Sequence, residues 1–484
     1  MFKERFSSRL GFILSMMGIA VGAGNIWRFP RVVAQNGNGS FLLAWVLFLF
    51  TWSIPLIIVE LSIGKLTKSP PIQAIAAMAG KKFAWMGAFI TLVTTGILAY
   101  YSIVVSWGVN YSVYAVQGKL LSHPNLTVLW SETASGYQTL LIHGLVLLCA
   151  LFVINKGVSG GIELCNKVLI PGFFICISLI FIQALCLPEA LAGIKKLFTL
   201  DIQSFKESKT WIEALTQNAW DTGAGWGLLL VYAGFAPKKE GVVTNGSLTA
   251  ISNNLVSLIM GMILFAVITS LDFNGISALR EGEGSTSLGL TFVYLPRLFL
   301  GISPYTFLQY FSACLFFLAF TMAAFSSMIS MLFLLAQTLK KIGLAKKETL
   351  ANFLACLIAF VLGVPSALNL SFFQNQDTVW SIALIINGLF IIFAALKFGV
   401  WLLTKEINKF SEKDFKLRKG FVLIIRFAIP IQGIILLAWF LKMETMNFNI
   451  HHFFTTNVGN MLLQWGIPLV IFISLNKRLI KNTY

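Results

Sequence analysis

Long apolar runs separated by short polar clusters set the pattern of this chain. Twelve runs approach or exceed the roughly 20 residues that an α-helix needs to cross a bilayer. We number these predicted spans 1 to 12, and they lie near residues 10–35, 39–66, 84–117, 137–154, 166–187, 211–236, 245–273, 305–339, 349–364, 378–403, 421–441 and 457–475. The pattern predicts an all-α membrane protein with twelve transmembrane helices.

Span 1 is interrupted at its centre by residues that a lipid-facing helix avoids. The segment Gly18–Arg31 (GIAVGAGNIWRFPR) contains Gly22, Gly24, the amide of Asn25 and the charge of Arg28. Backbone that leaves the helix at membrane depth survives only where it is buried in protein or lines a cavity. We therefore expect a broken helix with a small-ligand or ion site at the break. If the glycines only allowed close helix packing, the two polar side chains would have no explanation.

Span 6 carries a second interruption. Its segment Gln217–Gly227 (QNAWDTGAGWG) repeats the Gly-Ala-Gly of span 1 and places the carboxylate of Asp221 in the membrane. Two glycine-interrupted helices at corresponding positions indicate a transporter built from inverted repeats, with its site between them. We expect a first repeat over residues 1–190, a second over 191–404, and two peripheral helices with a basic C-terminus over 405–484.

Other spans carry polar side chains at similar depth. Glu60 in span 2 is either a carboxylate that snorkels to the surface or a buried acceptor for the broken backbone of span 1, and we favour the second. Ser326 and Ser327 in span 8 have neutral oxygens, which suit a hard monovalent cation such as Na⁺, although membrane hydroxyls often bond to their own helix. The polar stretch 274–304 is expected to be an outer loop that caps a vestibule.

Composition and charge support a membrane protein. The chain has 484 residues, of which 57% are hydrophobic and 11% charged. Its net charge of +17 reflects topology and not nucleic-acid binding, because about two thirds of the 36 Lys and Arg residues fall on one predicted side of the membrane. Both termini are therefore expected in the cytoplasm. No catalytic triad or metal-spaced cluster is apparent, so an enzyme is not expected. A channel would need a continuous polar stripe.

The residues of span 1 resemble a known family. The segment Ala20–Pro30 (AVGAGNIWRFP), followed by Asn36–Gly39 (NGNG), is similar to the neurotransmitter:sodium symporter family, which includes the bacterial leucine transporter. The resemblance covers roughly residues 5 to 475. It implies broken helices 1 and 6 within a 5+5 inverted repeat, and import of an amino acid or related small amine by alternating access, driven by sodium. The chain size favours a bacterial inner-membrane protein, as a monomer or weak homodimer, with membrane lipid and a small-molecule substrate as its partners.

The resemblance also implies two sodium sites. The first would use the carbonyl of Ala20, the side chains of Asn25 and Asn253, and the position of Asp221. The second would use the carbonyls of Gly18, Val21 and Ala323 and the hydroxyls of Ser326 and Ser327.

A substrate site and an outer gate follow from the same resemblance. The substrate carboxylate would meet the amides of Ala23 and Gly24 and the hydroxyl of Tyr101. The aromatic lid would be Trp220, and the side-chain pocket would be lined by Ile97, Gly223, Trp226 and Met331. Arg28 would form the outer gate with Asp377 of span 10. Glycine at position 22, where amine transporters of the family carry aspartate, favours an amino-acid substrate.

Asp221 departs from the family pattern, which has threonine or serine there. Ser257 and Gln217 fit the chloride-binding pattern, but Trp45 replaces its usual tyrosine. Two sodium ions and a zwitterion leave about two positive charges uncompensated in a poorly solvated site. We expect Asp221 to supply the counter-charge and to make transport independent of chloride. Alternatively, it replaces the substrate carboxylate as a sodium ligand and admits a solute other than an amino acid, or it carries a proton.

Two further expectations complete the sequence-based picture. A sodium-dependent sensor that binds without transporting would use the same site and is the main alternative function. At the cytoplasmic end of span 8, where the family often has an aspartate paired with a basic N-terminus, Lys340 and Lys341 stand instead, with Glu4 as a swapped partner.

Overall fold

Long helices make up the protein. The computed structural model describes residues 4–237, 240–271, 287–299, 301–446 and 457–480, and every regular element in these ranges is helical. Nine continuous helices of this described part are long and apolar enough to cross a membrane, and they correspond to predicted spans 2–5 and 7–11. They are Gly39–Thr67, Lys81–Val116, Tyr137–Asn155, Val158–Leu185, Val242–Leu271, Thr306–Lys341, Glu348–Leu368, Leu370–Phe398 and Lys419–Met443.

The other three predicted spans are interrupted or short. Span 1 consists of Arg9–Ala20 and Ala23–Gln35, bent by 53° at the break between them. Span 6 is divided into Ser208–Asp221 and Leu228–Gly234. Span 12 is represented by the shorter apolar helix Gly459–Ser474. Both breaks predicted from glycine positions are therefore present, while the total of twelve spans remains a prediction.

Short helices connect the spans. They are Pro71–Ala79, Lys119–Ser122, Leu126–Ala134, Ala190–Phe198, Ile202–Lys206, Leu290–Phe299, Val400–Lys409 and Asn476–Leu479. Of the predicted outer loop 274–304, residues 274–286 and 300 lie outside the described residues. Residues 287–299 are helical, so the loop prediction is wrong there. The cause is apolar packing, since the Phe292 ring stacks on Trp130 with centroids 4.6 Å apart.

Span 3 lies at the centre of the bundle. Of its most apolar stretch 94% is buried, against 33% for spans 4, 5 and 11. The outward faces of the peripheral spans carry large apolar side chains, for example Leu141, Leu145 and Leu148 on span 4. In a membrane these side chains contact lipid, which costs nothing there. The polar side chains of the two breaks are enclosed by this arrangement.

Glu60 satisfies the broken backbone of span 6. Its side chain is fully buried, and it accepts hydrogen bonds from the amides of Gly225 (2.8 Å) and Leu230 (3.3 Å). The prediction of a buried acceptor is therefore correct, but the prediction that it serves span 1 is wrong. The amides freed by the break in span 6 point toward span 2, whereas span 1 obtains its acceptors elsewhere.

Glycine has a different role at each break. In span 6, Gly223, Gly225 and Gly227 have φ of +72°, +87° and +79°, a left-handed backbone that glycine adopts without strain. In span 1, Gly22 is extended (φ −133°, ψ −170°), which any residue can adopt. A Cβ on Gly22 would lie 3.1 Å from the Tyr101 hydroxyl. Glycine is therefore needed for conformation in span 6 and for space in span 1.

The N-terminal segment is held against the start of span 5. Glu4 accepts hydrogen bonds from the amide of Val158 at 2.9 Å, and Lys340 pairs with Glu348 at 2.7 Å. The expected pairing of Glu4 with Lys340 or Lys341 is therefore wrong, because each charge has a nearer partner.

Replacing Glu60 tests the role of this carboxylate. Glu60→Ala leaves two buried amides without acceptors, and each unsatisfied donor costs about 1–3 kcal/mol. We expect a marked fall in the thermal unfolding temperature of the purified protein in detergent, with a smaller fall for Glu60→Gln, which keeps one acceptor oxygen. The control is Glu348→Ala, which removes an exposed ion pair worth about 0–1 kcal/mol. Equal unfolding temperatures for Glu60→Ala and the control would contradict this assignment.

Candidate functional site

The side chain of Asn25 joins the two breaks to span 7. Its Nδ2 lies 2.7 Å from Ser257 Oγ, 2.8 Å from Asn253 Oδ1 and 3.1 Å from Asp221 Oδ2. Its Oδ1 accepts a hydrogen bond from the amide of Gly22 at 2.8 Å, which caps the helix that resumes after the break. All of these side chains are buried. One amide thus fixes the relative positions of spans 1, 6 and 7.

Acceptor oxygens outnumber protons around Asn25. The Asn25 amide nitrogen carries two protons, and the Ser257 hydroxyl donates its single proton to Asp221 Oδ2 at 2.7 Å. The amide atom of Asn253 that faces span 1 lies 2.8 Å from the carbonyl oxygen of Ala20 and 3.1 Å from that of Asp221. If this atom is the oxygen, three acceptors face one another; if it is the nitrogen, it donates to both carbonyls. A cation stabilises the first arrangement.

The four residues predicted for the first sodium site are therefore brought together. They are Ala20, Asn25, Asp221 and Asn253. Carbonyl and amide oxygens with a single carboxylate fit a hard monovalent cation, since a divalent ion prefers several carboxylates.

A second group of oxygens lies between spans 1 and 8. The hydroxyls of Ser326 and Ser327 each donate to the carbonyl of Gly18 at 3.0 Å. Ser327 Oγ also lies 3.5 Å from the carbonyl of Val21, and Ser326 Oγ lies 2.8 Å from that of Ala323, an alternative acceptor for its single proton. The five residues predicted for the second sodium site thus converge. Because the hydroxyls rotate freely, their lone pairs can face a cation as readily as their protons face carbonyls.

The predicted ligands of the substrate carboxylate lie directly beside this oxygen cluster. The amide of Ala23 donates to the Tyr101 hydroxyl at 3.1 Å. Gly24 faces Asp221, whose Oδ1 would lie 2.7 Å from a Cβ at that position. The start of the resumed helix therefore presents backbone amides, the partially positive end of a helix, to a small anionic group.

Two tryptophans close one side of the site. The rings of Trp220 and Trp226 meet edge to face, with centroids 6.0 Å apart. The carbonyl of Trp226 accepts a hydrogen bond from Thr94 at 2.7 Å, three residues before Ile97 on span 3. Ile97 and Met331 are buried. Gly223 lies beside span 1, since a Cβ there would be 3.1 Å from the side chain of Ile19.

Arg28 and Asp377 line one cavity of about 470 Å³ above the site. Within the described residues no ion pair joins them. The Arg28 guanidinium lies over the Trp220 ring, 5.5 Å from its centroid, where the π-system attracts the cation. The structure brings the two predicted gate residues to one cavity without direct contact.

Arg31 and Glu213 also line this cavity, although neither was among the predicted site residues. Arg31 lies one turn after Arg28, so the i, i+3 spacing was the available signal. Glu213 gave no signal, because only the fold brings span 6 to this place.

The predicted chloride-type residues lie around Asp221. Ser257 donates to it, as described. Gln217 is one turn earlier on span 6 and is buried. Trp45, at the usual tyrosine position, packs on Phe29 with ring centroids 4.6 Å apart, and its carbonyl accepts from Asn218 at 2.9 Å. Its indole nitrogen is buried without a partner.

The chain is similar to known sodium-dependent transporters. The sequence model of the sodium:neurotransmitter symporter family matches residues 3–139 and 133–481. An uncharacterised sodium-dependent transporter of Methanocaldococcus jannaschii is 30% identical over 430 residues, 85% of each chain. A sodium-dependent neutral amino acid transporter B(0)AT2 of Pongo abelii is 26% identical over 297 residues, 55% of this chain and 40% of that protein.

A solved structure shares the fold. The crystal structure of MhsT in complex with L-phenylalanine superposes with a TM-score of 0.78 at 27% sequence identity, over 90% of this chain and 99% of that chain. The helical fold is thus shared with an experimental structure of a similar protein.

A double-mutant cycle tests the contact between Gly24 and Asp221. Gly24→Ala places a Cβ against the carboxylate, and such overpacking costs about 1–3 kcal/mol. We expect Gly24→Ala to lower the unfolding temperature in detergent, and to lower it much less when Asp221 is already serine. Gly160→Ala is the control, because a Cβ there meets no atom within 4 Å. Additive effects of the two site substitutions would show that these residues do not touch.

Proposed function

Because this chain belongs to the sodium:neurotransmitter symporter family, we propose that it imports an amino acid together with Na⁺ by alternating access. It is a multi-pass membrane protein and a sodium-coupled symporter. The identity of its substrate, its independence of chloride and the two sodium sites are the proposal. The neutral amino acid transporter among its relatives and the L-phenylalanine bound to MhsT support this substrate class.

The surplus of acceptor oxygens around Asn25 carries the proposal. At the first site, when the amide oxygen of Asn253 faces span 1, it meets the carbonyls of Ala20 and Asp221 with no proton between them. At the second, two hydroxyls share the carbonyl of Gly18. In a membrane interior such acceptors are costly unless a cation binds them. Two Na⁺ ions satisfy both groups without the many carboxylates that divalent ions require.

The substrate would lie between these sites and the two tryptophans. Its carboxylate would bind at the amides of Ala23 and Gly24 and the hydroxyl of Tyr101, close to the first Na⁺. Gly22 adds no charge to meet an amine and leaves little space, since a Cβ there would also lie 3.3 Å from Ser327 Oγ. Trp220 would cover the ligand, and Ile97, Gly223, Trp226 and Met331 would surround its side chain.

Asp221 would supply the counter-charge that other members obtain from chloride or glutamate. Its Oδ2 lies within hydrogen-bond distance of Ser257 and Asn25, two residues of the chloride-type and sodium-type patterns. A fixed carboxylate at this point offsets one of the roughly two uncompensated positive charges and so reduces the need for a mobile anion. The position of its Oδ1, which faces Gly24, supports the alternative role. In that alternative Asp221 ligates Na⁺ in place of a substrate carboxylate, and the substrate would be another small solute.

The gate arrangement supports alternating access. Arg28 and Asp377 stand apart across the outer cavity, whereas Glu163 on span 5 holds the N-terminal segment through the amide of Ser7 at 2.6 Å. Closure of the Arg28–Asp377 pair, together with release of the contact between Glu163 and Ser7, would close the site to one side of the membrane and open it to the other. In this proposal both termini are cytoplasmic, the membrane is a bacterial inner membrane, and the protein works as a monomer or weak homodimer.

Sodium-driven uptake tests the proposed function. Proteoliposomes containing the purified protein should accumulate label from a mixture of radiolabelled neutral amino acids when Na⁺ is outside. They should not do so when K⁺ replaces it, because K⁺ has the same charge but is larger, and we expect the oxygen clusters to fit the smaller ion. Competition by single unlabelled amino acids then identifies the substrate.

Counterflow separates a transporter from a sensor. Liposomes preloaded with unlabelled substrate should take up label against its gradient, since a transporter exchanges ligand across the membrane. Sodium-dependent binding with no exchange would favour the sensor, and neither binding nor uptake of any amino acid would favour a different solute.

Replacing the anion tests the role of Asp221. Uptake by the wild-type protein should be the same in chloride and in gluconate. The Asp221→Ser variant should lose most uptake in gluconate and retain more of it in chloride, because Ser257 and Gln217 remain to bind the anion. The control is Asp201→Ser, at an exposed N-cap far from the site. A wild-type protein that needs chloride would refute the counter-charge role.

A further inference from the structure

A buried carboxamide on span 5 has no hydrogen-bond partner among the residues that the structure describes. The side chain of Asn166 has 0% exposure, and neither its Oδ1 nor its Nδ2 has a hydrogen-bond partner. Buried polar groups nearly always have one, and each unsatisfied group costs about 1–3 kcal/mol. A leucine of similar volume would be better for stability alone, so the amide has another purpose.

Asn166 lies against the second group of oxygens. A Cβ added to Gly18 would be 2.6 Å from Asn166 Oδ1 and 3.3 Å from the Cβ of Ser326. The carbonyl of Gly18 accepts from Ser326 and Ser327, as described above. The amide oxygen of span 5 therefore lies next to the place where spans 1 and 8 gather their oxygens. The glycine at position 18 leaves room for it.

The neighbouring polar residue on span 5 differs from Asn166. Glu163, three residues earlier on the same face, is equally buried but fully paired. It accepts from Ser7 and Ser8 and pairs with Lys167 at 2.7 Å. The side chain of Glu163 is therefore satisfied by protein partners. The amide of Asn166 is not, and it is available to a bound ligand.

We infer that Asn166 is a further residue of the second sodium site, and that its amide oxygen contacts the bound Na⁺ directly or through a single water. This inference rests on the proposed function. The five oxygens from spans 1 and 8 leave a hard cation short of the six ligands that such ions commonly take. A neutral amide oxygen adds the missing contact without adding charge, and it links the ion to span 5 as well as to spans 1 and 8.

Sodium titration of variants tests this assignment. The measurement is the unfolding temperature of the purified protein in detergent as Na⁺ replaces K⁺ at constant ionic strength, without substrate. We expect Asn166→Leu to raise the half-maximal Na⁺ concentration about tenfold, the factor given by roughly 1.4 kcal/mol of lost binding. Asn166→Ser keeps space for a water. A small rise in the half-maximal Na⁺ concentration for Asn166→Ser indicates contact through water. A rise equal to that of Asn166→Leu indicates direct contact.

Controls separate ion binding from packing. Asn352→Leu removes another buried amide, far from the site, whose Nδ2 donates to Asn155 and whose Oδ1 has no partner. It should leave the half-maximal Na⁺ concentration unchanged. The effect of Asn166→Leu should be non-additive with Ser326→Ala in the second site and additive with Asn253→Ala in the first.

Two results would overturn the inference in distinguishable ways. A wild-type protein that Na⁺ stabilises, with Asn166→Leu and Asn166→Ser titrating as the wild type does, would overturn this assignment alone. A wild-type protein with no response to Na⁺ and no sodium-driven uptake would overturn the proposed function, and this inference with it.

Discussion

The need to satisfy broken backbone inside a membrane determines the rest of this structure. Two helices open at mid-depth, and hydrocarbon cannot provide partners for the freed amides and carbonyls. The amides of span 6 bond to the buried carboxylate of Glu60. The amide of Gly22 in span 1 bonds to Asn25, whose own nitrogen reaches span 7. Several donors at the breaks are therefore used within the protein. The carbonyls that gather beside Asn253 and beside Ser326 and Ser327 are the groups for which we propose cations.

The sequence predicted the positions of the breaks but not their partners. Glycines, an asparagine and a carboxylate within apolar runs are visible along the chain, so both broken helices could be predicted from local pattern. Which break Glu60 serves depends on how spans 2 and 6 pack. The prediction was wrong because no local signal encodes that packing. The prediction for Glu4 was wrong for the same reason, since the amide of Val158 at the start of span 5 binds this carboxylate.

The helical fold was predicted from the sequence, and the resemblance also predicted which site residues lie together, while their roles stay predictions. Asn25 lies beside Asn253, and Gly18 beside Ser326 and Ser327, as the resemblance implied. Arg28 and Asp377 line the same cavity without direct contact. Whether two gate residues touch depends on the conformation of the protein and not on sequence alone. Asn166 could not be found from the sequence, since one asparagine in an apolar helix is not distinguishable from a packed amide until its neighbours are known.

The two oxygens of Asp221 face different neighbours, and this bears on the roles considered for it. Oδ2 accepts from Ser257 and Asn25, on the side of the chloride-type residues. Oδ1 faces Gly24, on the side of the substrate amides. A single carboxylate shares one negative charge between its two oxygens, so it can offset one of the excess positive charges and also ligate Na⁺. Counter-charge and ligation are then compatible, and the substrate class depends on the space left at Gly24. A zwitterion fits only if its own carboxylate reaches the amides of Ala23 and Gly24 without displacing Oδ1, because two carboxylates in contact repel unless a cation lies between them. The first Na⁺ would be that cation, which couples amino-acid binding to sodium at this point of the chain.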